Sequence, residues 1–459
     1  MNLLKYFLLF LGFFLVSTVN AQLIGISENK RYLVTEEGEP FFWLGDTAWE
    51  LFHRLNREEA TLYLEDRAAK GFNVIQAVVL AELDGLNVPN PYGNTPLVNN
   101  DPLQPNEAYF EHVDFIVNKA ASLNIVIGML PTWGDKWQKK WGVGPVIFST
   151  ENAAEGFGVY MGKRYKNQEN IIWILGGDRN PENEKEYAII RAMAKGIEKG
   201  NEGTHLMTFH PRGGAKSSQF FHNDDWLDFN MFQSGHSEPD FPNYEMTTAD
   251  YELEPVKPTL DGEPRYENIP IKFNIKNGRH PAYSIRRAAY GSLLAGACGH
   301  TYGNNNIWQM CAPERKGIIK ARIPWYDAIK HPGAAQMGYA RWLFESRAFH
   351  TLQPAQDILT YPDNDKSIRA AITAGGTSAI IYIPEGQAVK IETKKLKGES
   401  LAAWWFDPRE GTAEIIGNFE KTDKDLGFIP PSKGVANDWV LILDNANAGL
   451  NEPGKPIMP

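Results

Sequence analysis

Two acidic residues follow apolar runs that are typical of strands, and together they could carry out acid–base and nucleophilic chemistry. Asp178 lies in "WILGGDRNP" and Glu263 lies in "KPTLDGEPRYE". Two carboxyl groups that face one pocket can cleave a glycosidic bond, because one protonates the leaving oxygen and the other attacks or stabilises the oxocarbenium-like centre. We therefore predict that Asp178 and Glu263 are a catalytic pair.

Each acid also has a structural interpretation. Gly-Glu-Pro occurs a second time around Glu39, where it closes a turn before a strand, and Glu263 could do the same. The segment "DRNPENE" could begin a helix, with Asn180 as N-cap and Pro181 at the first helical position. We favour catalysis for Asp178 because two glycines precede it and allow close backbone approach in a cleft. We favour it for Glu263 because this acid follows an apolar run.

Further polar and aromatic residues lie in or just after the other apolar runs, where an enzyme of this kind would bind its substrate. The predicted substrate-binding residues are Asp46, Trp49, His53, Gln76, Trp133, His210, Gln233, His236, Tyr302 and Trp308. Trp137 and Trp141 follow Trp133 at a spacing of four, which is typical of a packed helical stripe, so only Trp133 is assigned to the pocket.

Eight apolar runs alternate with segments of helical periodicity, and this pattern predicts a closed (β/α)8 barrel. The runs are "FFWLG", "FNVIQAVVL", "IVIGMLP", "IIWILGG", "HLMTFH", "LDFNMFQ", "KPTLDGE" and "HTYGN". Asp178 follows the fourth run and Glu263 the seventh, so they would lie nearly opposite each other at the barrel mouth. An open doubly wound sheet is the alternative, but no G-x-G-x-x-G follows the first run.

The chain is predicted to have three parts. Residues 1–21, in "MNLLKYFLLFLGFFLVSTVNAQ", have the Lys, apolar stretch and small-residue site of a secretory signal peptide, so we expect an exported, periplasmic or secreted protein. Residues 22–351 would form the barrel with a short N-terminal β extension. Residues 352–459 have short alternating runs between Gly, Pro, Asp and Asn turns, which predict an antiparallel β-sandwich.

Composition excludes several classes of function. With 459 residues and a net charge of −10, the chain has no basic run that would bind nucleic acid or an anionic membrane. Its 13 Trp, 18 Tyr and 24 Phe suit sugar rings as ligands. We expect no metal, cofactor or membrane anchor, because the histidines form no metal-binding motif and no later segment is long enough to cross a bilayer. Cys298 and Cys311 are expected to be buried thiols, although export would permit a disulfide.

Several long motifs together resemble the apiosidase-like catalytic domain of glycoside hydrolase family 140. They are "FFWLGDTAWELFHRL", "YLEDRAAKGFNVIQAVVLAELDG", "GMLPTWGDKW", "WILGGDRNP", "LDGEPRYE" and "GACGHTYGNNNIWQM". The C-terminal stretch resembles a β-sandwich named for collagen binding in a collagenase. The resemblance implies a (β/α)8 barrel, an exported enzyme of plant cell-wall breakdown, and release of apiose from pectic rhamnogalacturonan II. By motif it implies Asp178 as acid/base and Glu263 as nucleophile.

Some questions stay open at the level of sequence. The wider clan of retaining barrel glycosidases uses a Glu preceded by Asn as its acid, whereas here Gly177 precedes Asp178. A retaining enzyme would hold the two carboxyl groups about 5 to 5.5 Å apart, and an inverting one roughly 6.5 to 9.5 Å apart. The alternatives to an apiosidase are another exo-glycosidase, acting on arabinofuranosyl or rhamnosyl linkages, and a secreted carbohydrate-binding protein or adhesin with an inactive barrel. The oligomeric state is not indicated.

Overall fold

The computed structural model describes residues 23–362 and 365–455. The predicted signal peptide therefore lies outside the described residues. Three short antiparallel strands, Ile24–Ile26, Leu33–Thr35 and Pro40–Phe41, come first. Glu39 lies in the last turn of this sheet, where its carbonyl accepts a hydrogen bond from the backbone of Thr35 at 2.9 Å. The first copy of Gly-Glu-Pro is thus a turn, as the sequence indicates.

The eight apolar runs form eight parallel strands, which confirms the (β/α)8 barrel. The strands are β1 Trp43–Thr47, β2 Val74–Leu80, β3 Val126–Thr132, β4 Ile171–Gly176, β5 Met207–His210, β6 Asn230–Gln233, β7 Thr259–Asp261 and β8 Gly299–Tyr302. The pairing runs from β5 back to β1 and on through β8 to β6, and Ala215–Lys216 adds an antiparallel edge to β6. The ring closes between β5 and β6, where the Asp228 N–H donates to the Met207 carbonyl at 2.9 Å.

Helices surround the barrel and cover the outer face of the strands. They are Leu51–Arg54, Arg57–Ala69, Glu107–Ala121, Glu151–Tyr165, Glu184–Asn201, Ser218–Phe221, Asn243–Tyr251, Ala282–Leu293, Trp325–Ala328 and Pro332–Glu345. The expected helix start at Asn180 is wrong, because the N-cap is Asn183, whose side chain accepts from the backbone of Glu186. None of the helices within the described ranges is long and apolar enough to span a bilayer.

The C-terminal residues form the predicted antiparallel sandwich. Its larger sheet has six strands in the order Leu352–Pro354, Arg369–Thr373, Ser378–Ile383, Trp439–Asn445, Ser400–Asp407 and Thr412–Glu420. The smaller sheet consists of Leu359–Tyr361, Val389–Ile391 and Leu426–Phe428. Trp404 and Trp405 point to opposite faces, since Trp405 packs inside the sandwich and Trp404 packs towards the barrel.

The barrel and the sandwich share one apolar core. Tyr290 of the barrel stacks on Tyr382 of the sandwich, with ring centroids 4.7 Å apart and planes 5° from parallel. Beside this stack, the buried Arg286 forms two hydrogen bonds with Asp438, at 2.8 and 2.6 Å. A buried pair of this kind holds two surfaces in one orientation, because separating them would leave both charges unpaired.

Candidate active site

A cavity of about 640 Å³ lies at the carboxyl ends of the barrel strands, and both predicted catalytic acids line it. The predicted substrate-binding residues that also line it are Trp49, Trp133, Gln233, His236 and Trp308. The volume is within the usual range for a small-molecule site. The lining residues all come from the barrel, so the sandwich does not contribute to this cavity.

Asp178 reaches the cavity through an unusual backbone path. Gly176 and Gly177 have φ values of 99° and 87°, and a Cβ on Gly177 would lie 2.8 Å from the backbone nitrogen of Gly134. Only glycine fits there, because the chain after β4 passes directly against the chain after β3. Asp178 itself has φ of 56°, a left-handed conformation that costs a non-glycine residue about 1–2 kcal/mol. Backbone strain of this sort is concentrated at functional sites.

The carboxyl group of Asp178 is suited to carry a proton. Burial is the main cause that raises its pKa, to about 6, and the Glu263 carboxylate raises it further. His210, Arg179 and His236 act in the opposite direction. The side chain is 23% exposed, so a leaving-group oxygen in the cavity can reach it. A carboxyl group with a raised pKa beside open space is the usual arrangement of a general acid.

Glu263 is held in the opposite protonation state. The hydroxyl of Tyr266 donates to Oε1 at 2.5 Å and itself accepts from the indole of Trp49 at 3.0 Å. Burial acts to raise the pKa of Glu263, but its contacts with His210, His236 and Tyr266 outweigh burial and lower it. An ionised, oriented carboxylate that is 4% exposed can attack an electrophilic carbon in the cavity.

His210 connects the two acids. Its Nδ1 accepts a hydrogen bond from the backbone N–H of Asp178 at 3.3 Å, which assigns the ring proton to Nε2. Nε2 lies 2.9 Å from Oε2 of Glu263. The distance is that of a hydrogen bond, but the N–H is poorly aligned with Oε2, since neither atom has a well-directed partner among the described residues. We therefore treat this contact as an electrostatic interaction that favours the ionised form of Glu263.

Aromatic rings form the walls of the cavity. Trp49 and Trp133 lie against each other with centroids 5.3 Å apart, and Trp308 lines the cavity as well. The ring of His236 packs on Tyr266 at 4.1 Å, and its Nε2 lies 3.5 Å from Oε1 of Glu263. Flat apolar walls beside ionised and polar groups suit the C–H faces and hydroxyls of a sugar.

Two of the predicted substrate-binding residues are buried away from the cavity. Asp46 is fully buried between the Tyr63 hydroxyl, at 2.6 Å, and the Arg67 guanidinium, at 2.5 Å. Its side chain points towards a surrounding helix, because side chains alternate between the two faces of a strand. Gln76 is also fully buried, and its amide donates to the Gly262 carbonyl at 2.8 Å. Neither side chain lines the cavity.

Three further predictions need correction. His53 is buried against Glu50, with Nδ1 and Oε2 2.6 Å apart, so it fixes the chain after β1. Tyr302 is buried, and its hydroxyl donates to Glu267 at 2.6 Å. His210 is fully buried and does not line the cavity, although it contacts Glu263 as described above. The sequence located these residues near strand ends but could not give the direction of their side chains.

The cavity also has functional candidates that the sequence did not indicate. Tyr266 follows Glu263 by three residues in "EPRY", and nothing in that spacing marks its hydroxyl as a partner of the acid. Trp141 lines the cavity and is 37% exposed, with the Arg179 guanidinium 3.6 Å above its ring. It is not part of a helical stripe, because the chain after Trp133 forms only a single 3₁₀ turn. Trp137, in contrast, is packed as expected.

Metal-binding groups and cysteine thiols are the remaining features that could take part in chemistry. Within residues 23–362 and 365–455, no group of three or more His, Cys, Asp and Glu side chains is arranged to hold a metal ion. Cys298 and Cys311 are both buried and both free. Burial raises the pKa of the Cys298 thiol to about 12, so this residue is not a nucleophile at neutral pH.

Comparison with known proteins agrees with this geometry. Residues 27–351 match the family described as "Apiosidase-like, catalytic domain", and residues 353–444 match the "Putative collagen-binding domain of a collagenase". A solved structure described as "Glycoside hydrolase" is 33% identical, with a TM-score of 0.84, and the match covers 93% of this chain and 97% of that one. A glycoside hydrolase family 5 structure from Bacteroides vulgatus ATCC 8482 is 32% identical, with a TM-score of 0.85 and coverage of 95% and 96%. The comparison with curated proteins found no match.

These similarities extend over almost the whole chain, so they establish the enzyme class as well as the fold. The protein is a glycoside hydrolase built on a (β/α)8 barrel. Within that class, the match over residues 27–351 identifies the family, and the chain belongs to the apiosidase-like proteins.

Proposed function

We propose that this enzyme is an exo-acting, retaining glycosidase that releases apiose from the side chains of pectic rhamnogalacturonan II. One observation carries the mechanism: two carboxyl groups face the same cavity with pKa values shifted in opposite directions, Asp178 upward and Glu263 downward. Such a pair provides an acid and a nucleophile at the same pH.

In the first step, Glu263 attacks the anomeric carbon of the bound sugar. The bond between that carbon and the leaving oxygen breaks, and the proton of Asp178 moves to this oxygen, so the aglycone departs as an alcohol. The sugar remains as an ester of Glu263. Tyr266 and His210 hold the carboxylate before the attack.

In the second step, Asp178 acts as a base. Ester formation removes the negative charge of Glu263, which is one of the causes that raise the pKa of Asp178, so this pKa falls. The ionised Asp178 takes a proton from water, and the water oxygen attacks the anomeric carbon. Glu263 leaves as a carboxylate, and two inversions give net retention.

The choice of sugar rests on the family and on the cavity. The family description names apiosidases, and the cavity, with its tryptophan walls, suits a small sugar at a chain end. The location that we propose is outside the cytoplasm, on the evidence of residues 1–21, where the enzyme would meet plant cell-wall polysaccharide.

Three variants test this assignment on rhamnogalacturonan II oligosaccharides and on a panel of aryl glycosides that includes apiosides, arabinofuranosides and rhamnosides. Glu263→Gln should be inactive on every substrate, because no leaving group removes the need for the nucleophile. Asp178→Asn should lose its activity on the polysaccharide. On an aryl glycoside it should accumulate the covalent intermediate, and added azide should restore turnover. Glu39→Gln is the matched control, because it lies in the exposed copy of Gly-Glu-Pro and should behave as wild type.

The released sugar and its anomeric configuration test the proposed substrate and the retaining mechanism. Apiose as the released sugar, first formed with the anomeric configuration of the substrate, is the expected result in an NMR time course. Release of arabinose or rhamnose instead would reassign the sugar. Wild-type activity in Asp178→Asn on the polysaccharide, or in Glu263→Gln on any substrate, would contradict the assignment of the pair.

A further inference from the structure

A third carboxyl group faces the cavity, and neither step of the proposed mechanism uses it. Glu82 follows β2 and lines the same cavity as Asp178 and Glu263. Its carboxyl group forms no hydrogen bond or ion pair with the described residues, and only burial and more distant charges shift its pKa. A carboxyl group that has no protein partner but lies beside a cavity is free to bind a ligand there.

The backbone around Glu82 is fixed on both sides by buried charged groups. The Lys136 ammonium donates to the carbonyl of Ala81 at 2.8 Å, and the Leu83 N–H donates to Oε1 of Glu50 at 3.0 Å. Lys136 and Glu50 are both fully buried. Burying charges is costly, and here two of them determine where the Glu82 backbone lies. The position of Glu82 is therefore set before any ligand arrives.

The charged groups that face Glu82 come from the ends of three neighbouring strands. Burial is the main cause that raises its pKa, to about 8, and the carboxylates of Asp178, Glu50 and Asp135 raise it further. Lys136 acts in the opposite direction, and the guanidinium groups of Arg54 and Arg179 are also within electrostatic range. At pH values below about 8, Glu82 is accordingly mainly a neutral carboxylic acid, which can both donate and accept a hydrogen bond.

We propose that Glu82 is a substrate-binding residue, whose carboxylic acid forms a hydrogen bond with a hydroxyl of the sugar held between Asp178 and Glu263. This inference rests on the proposed function, since it places the sugar in the same cavity. A sugar hydroxyl also donates and accepts, so the two groups match. A neutral acid can make this contact without adding a further negative charge beside Asp178.

The test uses an activated aryl glycoside, whose departure needs no proton from Asp178, and measures kcat/KM between pH 5 and 9. For the wild type we expect kcat/KM to fall as the pH rises through about 8, because Glu82 ionises and loses its proton donor. Glu82→Gln, a neutral isostere, should stay within about threefold of wild type at pH 6 and should lack the fall near pH 8. Glu82→Ala should lose about tenfold, mainly through KM, which corresponds to one hydrogen bond.

Asp84→Asn is the matched control, since Asp84 lies on the same loop but does not line the cavity. Its profile should follow that of the wild type. The inference is overturned if Glu82→Ala has wild-type kcat/KM, or if Glu82→Gln retains the fall near pH 8.

A binding measurement separates this inference from the proposed function. Free apiose, arabinose and rhamnose are titrated into each protein, and quenching of the tryptophan fluorescence of the cavity reports binding. If the wild type hydrolyses no glycoside but Glu82→Ala binds a sugar at least tenfold more weakly, the proposed function fails and this inference stands. If the wild type binds none of the three sugars, or if Glu82→Ala binds them equally well, the inference is wrong.

Discussion

The Nε2 atom of His210 lies 2.9 Å from Oε2 of Glu263, and the other nitrogen of the same ring accepts from the backbone of Asp178. One buried imidazole therefore contacts the carboxylate of Glu263 and the backbone of Asp178. It fixes the loop that carries the acid and stabilises the charge of the nucleophile. Because the ring acts on the nucleophile and does not line the cavity, it should influence the pH dependence of the reaction more than the binding of substrate.

His210→Gln should move the acid limb of the kcat/KM profile to higher pH. The imidazole lies 2.9 Å from the Glu263 carboxylate and is a main cause that lowers the pKa of this acid, so the pKa of Glu263 should rise when the ring is lost. The measurement is a pH profile on an activated aryl glycoside. His205→Gln is the control, because His205 is also buried but bonds to the Gln168 carbonyl away from the cavity. An unchanged acid limb in His210→Gln would refute this role.

Tyr266→Phe should lower kcat on aryl glycosides by roughly 10- to 100-fold, because it removes a hydrogen bond to an ionised carboxylate. Tyr302→Phe is the matched control, since its hydroxyl donates to another buried carboxylate, Glu267, at 2.6 Å. That variant should lose stability and keep its KM, as Tyr302 does not line the cavity. A loss of substrate affinity in Tyr302→Phe would instead support the sequence-based assignment.

The alkaline limb of the profile should depend on the leaving group. On the natural glycoside, kcat/KM should fall as the pH rises through about 6, because Asp178 loses the proton that the leaving oxygen needs. On an activated aryl glycoside this fall should be absent. On both substrates activity should be lost at low pH, below the usual range of a Glu, as Glu263 becomes protonated. The same limb near pH 6 on both substrates would rule out Asp178 as the general acid.

Ending the chain before the first sandwich strand should impair folding. The truncated chain, residues 22–351, would expose the apolar core that Tyr290 shares with Tyr382 and would leave Arg286 without Asp438. We expect aggregation, or a melting temperature lowered by about 10 °C or more, in thermal denaturation followed by circular dichroism. A well-folded barrel that has lost only its affinity for substrate would show that the sandwich binds the polysaccharide.

The sequence predicted the barrel because each strand is an apolar run that alternates with a helical segment, and this pattern depends on local residues alone. It also placed Asp178 and Glu263 correctly after the fourth and seventh strands. The strand-end rule failed for Asp46, whose side chain points outward to Arg67 rather than into the cavity. Counting alternate positions from a known strand boundary would have been needed, and the sequence does not fix such boundaries to a single residue.

The other residues that the sequence-based prediction missed lie in loops. Trp141 reaches the cavity because Arg179 packs on its ring and donates to its carbonyl at 2.6 Å, which is a contact across 38 residues of chain. Glu82 follows the second strand, but its place at the cavity and beside three other acids depends on the loops that surround it. Such relationships depend on how distant segments meet, and residue types or spacing do not encode them locally.

The stacked Tyr290 and Tyr382 limit how far the C-terminal sandwich can be exchanged for another domain. Domains that are joined only by a flexible linker keep separate apolar cores, so one can be exchanged without disturbing the other. Here the junction near residue 352 divides the sequence but not the apolar interior. A chimera that gives this barrel a foreign sandwich would have to reproduce both the aromatic stack and the acid opposite Arg286, so the two parts should be inherited, and engineered, as one piece.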